Sequence, residues 1–388
     1  MKRINFKKMK NVLSLLVGVL TLISVQAQNS DEGNDGRLEH LFRSENTYQV
    51  KNIRPTKGEK VDNVILMIGD GMGISHYSSA WIANKGHMNI ENCMYAGLVK
   101  TYAANKLITD SGAAGTAMAT GQKANYHSIA VDVDNNPLNS MTDLANDKGL
   151  STGIIVTCGL TDATPATFCA NNPDRDKEEE LATDYLNCGV DFILGGGRDK
   201  FHNRSDNRNL LDEMKAKGYK VCSSLEETLN TKDERVFAVL EEGQLPLAND
   251  RGDLFQKACE KALDVLSKNK NGFFAMIEGS RIDDCGHWND LPGLVAEIGD
   301  FDRTVGQVLE WAQKNGKTLV VILSDHETGA FTIIGGDISN GEVTGNFANK
   351  EHSGILVPVY AYGPQSNQFT GIMENTDIFK KIKSILNL

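Results

Sequence analysis

The chain has 388 residues, 40% of them hydrophobic and 23% charged, an ordinary composition for a globular protein with a large buried core. Its formal net charge of −11 makes it a poor binder of nucleic acid. No apolar run reaches the length of a comfortable membrane span.

Lys2, Arg3, Lys7, Lys8 and Lys10 precede an apolar run over residues 12–23, and Val25-Gln26-Ala27 places small residues at the two positions a signal peptidase reads. A signal peptide over 1–27 is expected, and with it an exported protein, periplasmic or secreted, with no Cys placed after the cleavage site to take a lipid. Its removal takes away five positive charges and no negative ones, so the mature chain is more acidic still. Residues 28–60 are polar and read as a tether, with the fold beginning at Val61.

Short apolar, β-branched runs then recur at 61–68, 153–158, 191–194, 236–240, 273–277, 319–323 and 355–362. Helical patterns lie among them at 141–148, 177–187, 209–217, 254–268, 294–314 and 376–386. Continuous apolar strands alternating with helices predict one α/β domain around a mostly parallel sheet buried on both faces. The seven cysteines contain no C-x-x-C pair, which gives metal ligation by sulfur little support and leaves one or two disulfides open.

Three of these strands end in carboxylates: Ile68-Gly69-Asp70, Ile277-Glu278 and Leu323-Ser324-Asp325-His326. Ligands of open parallel sheets bind at the carboxyl ends of the strands. One such acid is usually a turn residue or a helix cap. Three together would repel one another and raise each other's pKa values unless cations sit among them. Asp283 and His287, four apart, are neighbours on a helix and add a mixed oxygen and nitrogen pair, and His352 is available to complete it. Asp, Glu and His without Cys suit catalytic Zn²⁺, with an oxygen-only site for Mg²⁺ beside it.

Residues 109–121, TDSGAAGTAMATG, place the Ser111 hydroxyl next to a carboxylate at the start of a helix slim enough to pack tightly on a sheet. In the first helical turn, the Ser111 oxygen and a phosphate on it would face unpaired backbone N–H groups. Taken alone, the stretch is more simply a packing helix with a Ser cap.

Six fragments in order carry a family resemblance: IGDGMG at 68–73, TDSGAAGTA at 109–117, DATPA at 162–166, IEGSRID at 277–283, SDHETG at 324–329 and EHSG at 351–354. The chain resembles the alkaline phosphatases over nearly all of its mature length. The resemblance implies an alkaline-phosphatase-like three-layer α/β sandwich over 61–388, with a large mostly parallel sheet between helices and two Zn²⁺ and one Mg²⁺ as cofactors. It implies hydrolysis of phosphate monoesters through a covalent phosphoserine on Ser111. By the same resemblance, Asp283, His287 and His352 hold one Zn²⁺, and Asp70, Asp325 and His326 the other. Asp70 bridges to Mg²⁺, which Glu278 and Thr164 complete, with Asp162 behind a Mg²⁺-bound water. Arg175 falls at the guanidinium that clamps phosphate. Read without the family, Arg175 between two acids is a surface ion pair, and Thr164 before Pro165 is a turn residue. His40, His76, His87, His127 and His202 lie outside every motif and are assigned no role.

Two departures stand out. Asp284 occupies a position where better-known members carry Lys, His or Trp, so it either opposes a trianionic phosphate or points away from it. The segment between Gly329 and His352 is short, so the family's crown insertion is reduced, and a homodimer of the family type would have less to rest on. A phosphodiesterase or sulfatase of the same superfamily would share the metal site, but sulfatases carry their nucleophile in a C/S-x-P-x-R context and related diesterases usually present Thr. An inactive metal- or phosphate-binding protein is disfavoured by a complete ligand set with a nucleophile.

Overall fold

The computed structural model describes residues 39–56 and 58–388. Within these residues no helix is long and apolar enough to cross a membrane. The expected signal peptide lies outside them.

A ten-stranded sheet forms the middle layer. Its order is Gly371–Glu374, Tyr95–Lys100, Val357–Tyr362, Thr318–Leu323, Asn63–Gly69, Phe273–Gly279, Ser151–Gly159, Phe192–Gly196, Val236–Val239 and Lys220–Cys222. Only Val357–Tyr362 runs against its neighbours; the other pairings are parallel.

The central strands are buried at every position because each face covers a different core. Val64, Leu66 and Ile68 join Phe274, Met276, Leu319 and Val321 on one face, with Met118, Met141, Ile378, Phe379 and Ile382 from the helices above. Ile65 and Met67 join Ala275, Ile277, Val320 and Ile322 on the other, under Phe255, Ala262, Leu294, Ile298, Phe301 and Val305. The two-residue period of the strand thus sorts a continuous apolar run into two cores.

All seven strands expected from the apolar runs are present. Tyr95–Lys100, Lys220–Cys222 and Gly371–Glu374 were not expected, and they lie at or next to the sheet's edges, where burial is partial and the apolar signal weak. The cysteines form no disulfide; six are buried and Cys93 is half-buried.

The expected tether needs correction. His40–Arg43 is a strand paired antiparallel with Glu342–Phe347, which in turn pairs with Phe331–Asp337 in a three-stranded sheet. Beyond it, the Tyr48 hydroxyl donates to Asp302 at 2.7 Å, Ile53 is buried, and the side chains of Asn84, Asn89 and Asn92 accept the backbone N–H groups of Tyr48, Lys51 and Ile53. A polar average over 28–60 hid a few well-placed apolar residues. The carbonyl groups and amides of this strap are satisfied by asparagines far along the chain, which local composition does not reveal.

Candidate active site

The middle of the sheet brings the three acid-ended strands side by side: Thr318–Leu323, Asn63–Gly69 and Phe273–Gly279 are consecutive, with Ser151–Gly159 next. Their carboxyl ends deliver Asp325-His326, Asp70, Glu278 and, after a turn, Asp162 to one edge.

Ser111–Thr120 is a helix whose ten residues are all buried. Its small residues are required: a Cβ on Gly115 would come within 2.9 Å of the Thr167 hydroxyl, and one on Gly112 within 2.9 Å of the Ser128 carbonyl oxygen. The helix ends at Gly121 with φ 75°, where a side chain would meet the Phe379 ring at 2.5 Å. The cap is Asp110, not Ser111. The Asp110 carboxylate accepts the N–H groups of Gly112 and Ala113, both at 3.2 Å, so two of the free donors expected to face a phosphate are already taken. Ser111 is thereby released from capping.

Two clusters of metal-ligating atoms result. In one, the Nε2 atom of His326 lies 3.1 Å from Asp325 Oδ2, 3.5 Å from Asp70 Oδ1 and 3.1 Å from the Ser111 hydroxyl. In the other, His287 Nε2 lies 3.2 Å from Asp283 Oδ2 and 3.2 Å from His352 Nε2, which is 3.6 Å from Asp283 Oδ1. The His326 and His352 rings stack with centroids 3.6 Å apart, placing the clusters side by side. Backbone carbonyls hold the far nitrogens of two rings: His352 Nδ1–H donates to Thr109 at 2.8 Å, and His287 Nδ1–H to Lys350. Such bonds turn the Nε2 lone pairs toward a common point, the arrangement in which imidazoles ligate metals.

Beside them, Thr164 donates to Asp70 Oδ2 at 3.4 Å, and the Cys158 thiol reaches Glu278 at 3.8 Å. Asp70 Oδ1, Glu278 Oε1 and Asp325 Oδ2 are buried with no hydrogen-bond partner. Leaving buried carboxylate oxygens bare is costly. Burial, reinforced by repulsion from Asp325, Asp283 and Glu278, pushes Asp70 well above the usual carboxylate range. Burial and the charge of Asp162 raise Glu278 to about 8. Burial raises Asp325 to about 6. Asp283 goes the other way: burial would raise it, but the bond from His287 and the charges of His326 and His352 hold it below the ordinary range. The hydrogen bond to Asp283 lifts His287 to about 9. Orphaned oxygens and mutually repelling acids fit cations at Asp70, Asp325 and His326 and at Asp70, Glu278 and Thr164, and the converging Asp283, His287 and His352 donors fit one in the second cluster.

Arg175 is not a surface ion pair. One terminal nitrogen donates to Asp110 at 3.0 Å and the other to Asp162 at 3.1 Å, which aims the guanidinium at Ser111's side of the edge. Burial would raise Asp110, but Arg175 and the N–H of His127 keep it below its ordinary value.

The alkaline phosphatase family model matches residues 61–347 and 340–388. The chain belongs to the alkaline phosphatase family. Alkaline phosphatase 4 of Bacillus subtilis is 31% identical over 436 residues, covering 89% of this chain and 94% of that protein. The solved alkaline phosphatase of the Antarctic bacterium TAB5 superposes with a TM-score of 0.81 at 35% identity, covering 85% of this chain and 98% of its own. A variant of that enzyme, 34% identical with a TM-score of 0.80 over 85% of this chain and 99% of its own, has Mg bound in its M3 site. This chain is therefore an alkaline phosphatase family enzyme with the family's α/β fold.

Of the residues expected in the site, Asp70, Ser111, Asp325 and His326 meet in one cluster, Asp283, His287 and His352 in the next, and Thr164, Glu278, Asp162 and Arg175 along their border. The structure adds residues the sequence did not single out. Thr328 donates its hydroxyl to Asp283 and lies 3.3 Å from His326 Nδ1, joining both clusters. Gln244 accepts the Gly159 N–H at 2.5 Å and reaches Asp162 at 3.5 Å. Gly71, with φ 68°, leaves only 2.8 Å between a would-be Cβ and Asp283 Oδ1, so the GDGMG turn admits no side chain there. Asp284 is occupied by Arg281, its ion-pair partner, while burial raises its pKa. Its charge is thus compensated from within its own helix, Arg281–Trp288.

Proposed function

We propose that the chain hydrolyses phosphate monoesters to an alcohol and inorganic phosphate through a phosphoserine on Ser111, with two Zn²⁺ and one Mg²⁺ as resident ions. What carries the reading is the Ser111 hydroxyl, freed from capping, within 3.1 Å of the nitrogen on which the Asp70, Asp325 and His326 cluster converges. Asp70, Asp325 and His326 would hold one Zn²⁺, Asp283, His287 and His352 the other, and Asp70, Glu278 and Thr164 the Mg²⁺. Bound there, the ions would supply the positive charge that lowers the pKa of the hydroxyl and of a water and offsets charge on the transferring phosphoryl group.

The chain's own groups then position. Arg175, braced by Asp110 and Asp162, offers its remaining N–H donors to two phosphate oxygens. The Ser111 hydroxyl gives up its proton to solvent as Oγ bonds to phosphorus, the ester P–O bond breaks, and the leaving alkoxide takes up a proton from water to depart as alcohol. Water next attacks the phosphoserine, returning the serine hydroxyl and releasing phosphate. Phosphoryl transfer demands chiefly alignment and charge compensation; the sheet edge would supply the first, and the ions with Arg175 the second. Export rests on the pattern of residues 1–27 alone.

Assay of a monoester, a diester and a sulfate ester on one preparation, with zinc and magnesium content measured on the same sample, tests the reading. The monoester is expected to turn over fastest by a wide margin, and a preference for diester or sulfate, or a preparation that takes up no zinc, overturns it. Arg175→Ala is expected to raise KM and the inhibition constant of inorganic phosphate by roughly tenfold to a hundredfold, the loss of charge-assisted hydrogen bonds to a dianion. Arg175→Lys keeps the charge but not the fork and should recover only part.

A further inference from the structure

Glu327 is a buried carboxylate for which the reaction has no use. It is 2% exposed and follows His326 directly. Its Oε1 accepts the Phe331 N–H at 2.9 Å and lies 3.6 Å from His76 Nδ1. Its Oε2 accepts the hydroxyl of Ser353, the residue after His352. A two-residue antiparallel bridge sets Glu327 opposite Ser353 and Thr328 opposite His352. On its third side, the Glu327 Cγ fills the space a Cβ on Gly73 would need, at 2.2 Å. His76 is fully buried, accepts the Gly73 N–H on Nδ1 at 3.2 Å, and has an Nε2 with no hydrogen-bond partner.

One side chain, attached directly after Asp325 and His326, therefore touches the turn after Asp70 and the strand carrying His352. These are the segments that bear one whole ligand cluster and a ligand of the other. Burying a carboxylate is expensive, and an apolar residue of the same size would close the chain at lower cost. Its Oε2 instead accepts the bond that ties Ser353, and with it His352, to the residue after His326, while Oε1 holds the Phe331 N–H farther along its own segment.

The geometry points to Glu327 as a positioning residue that sets the spacing between the two metal clusters, acting on His352 through Ser353. This inference rests on the metal reading proposed above. The bond between Glu327 and Ser353 thus governs the affinity of the Asp283, His287 and His352 cluster and leaves the Asp70, Asp325 and His326 cluster nearly untouched.

The test titrates the metal-free full chain with Zn²⁺ against a chromophoric chelator, and with Co²⁺ followed by its visible absorption. Ser353→Ala is expected to weaken one of the two tight zinc equivalents by about tenfold to a hundredfold, the usual effect of removing a ligand's hydrogen-bonded support. The cobalt absorption of that one site should change, with the metal-free melting temperature held. Glu327→Leu should behave alike, whereas Glu327→Gln, whose amide keeps both bonds by donating to Ser353, should stay within a few-fold of wild type. Wild-type affinity for both equivalents in Ser353→Ala and Glu327→Leu overturns the inference. So does parallel loss of both equivalents together with the metal-free melting temperature, the mark of a general structural role. A wild-type chain that takes up no zinc would remove the metal reading itself, and this inference with it.

Discussion

Ser111→Ala is expected to lower kcat for monoester hydrolysis by on the order of 10⁴-fold, about 5.5 kcal/mol of barrier, while zinc and magnesium content and melting temperature stay close to wild type. The two halves of that expectation come from different atoms. Stability of the helix N-terminus rests on Asp110, whose carboxylate takes the Gly112 and Ala113 N–H groups, so truncating Ser111 removes no cap. Each ligand set keeps all its Asp and His donors when Ser111 is truncated. The lost atom is the one that would bond to phosphorus, and what remains is the clamp of Arg175 and the charge compensation of the site, which still favour slow attack by water. Acid quenching of wild type during turnover should recover phosphate on a peptide containing Ser111, and the variant should give none. Turnover within tenfold of wild type in the variant would overturn the assignment of the nucleophile.

The legible part of this protein was the part whose signal is local. Runs such as Val64–Ile68 and Leu319–Leu323 are apolar at every position because both faces of the central strands are covered, and a residue string alone shows that. The acids at their ends could be seen too, since chemistry at a strand's carboxyl end follows from sheet geometry. Roles were another matter. Only the resemblance placed Arg175, Thr164 and Asp162, and the structure then put each within bonding reach of an expected site residue.

What escaped was non-local. The docking of His40–Arg43 needs Glu342–Phe347, some 300 residues on, and edge strands such as Lys220–Cys222 are too short and too exposed to carry a period. Asp110 stood in view beside Ser111, but its double duty, as cap and as brace for Arg175, depends on a guanidinium that arrives from residue 175. Asp284 illustrates the limit from the other side. Its charge suggested conflict with phosphate, and its neighbour Arg281, one helical turn back, neutralises it.

Stripping the metals is expected to abolish activity, with recovery on adding Zn²⁺ and Mg²⁺ together, and to make stability fall as pH rises. The sign follows from the buried acids. In the metal-free fold Asp325 titrates at about 6 and Glu278 at about 8, and Asp70 is raised as well, chiefly by burial. Between the ordinary carboxylate range and these raised values the groups hold protons in the fold that the unfolded chain has already released, so stability falls as pH rises. Their contribution is complete below the ordinary carboxylate range and is lost through pH 6 and then 8. His287, raised to about 9 by its bond to Asp283, acts in the same direction, its contribution present below its ordinary value and lost as pH passes 9. Asp283, held low, contributes above its ordinary value and loses that only in acid, outside this window. Metal-free protein should therefore melt roughly 10 °C lower at pH 9 than at pH 5, a few kcal/mol spread over a chain of this size. Cations among the same oxygens replace the protons, so the loaded protein should show no such decline, and the gap between the two melting curves should widen with pH. Parallel curves for metal-free and loaded protein would mean that Asp70, Glu278 and Asp325 are not where the ions bind.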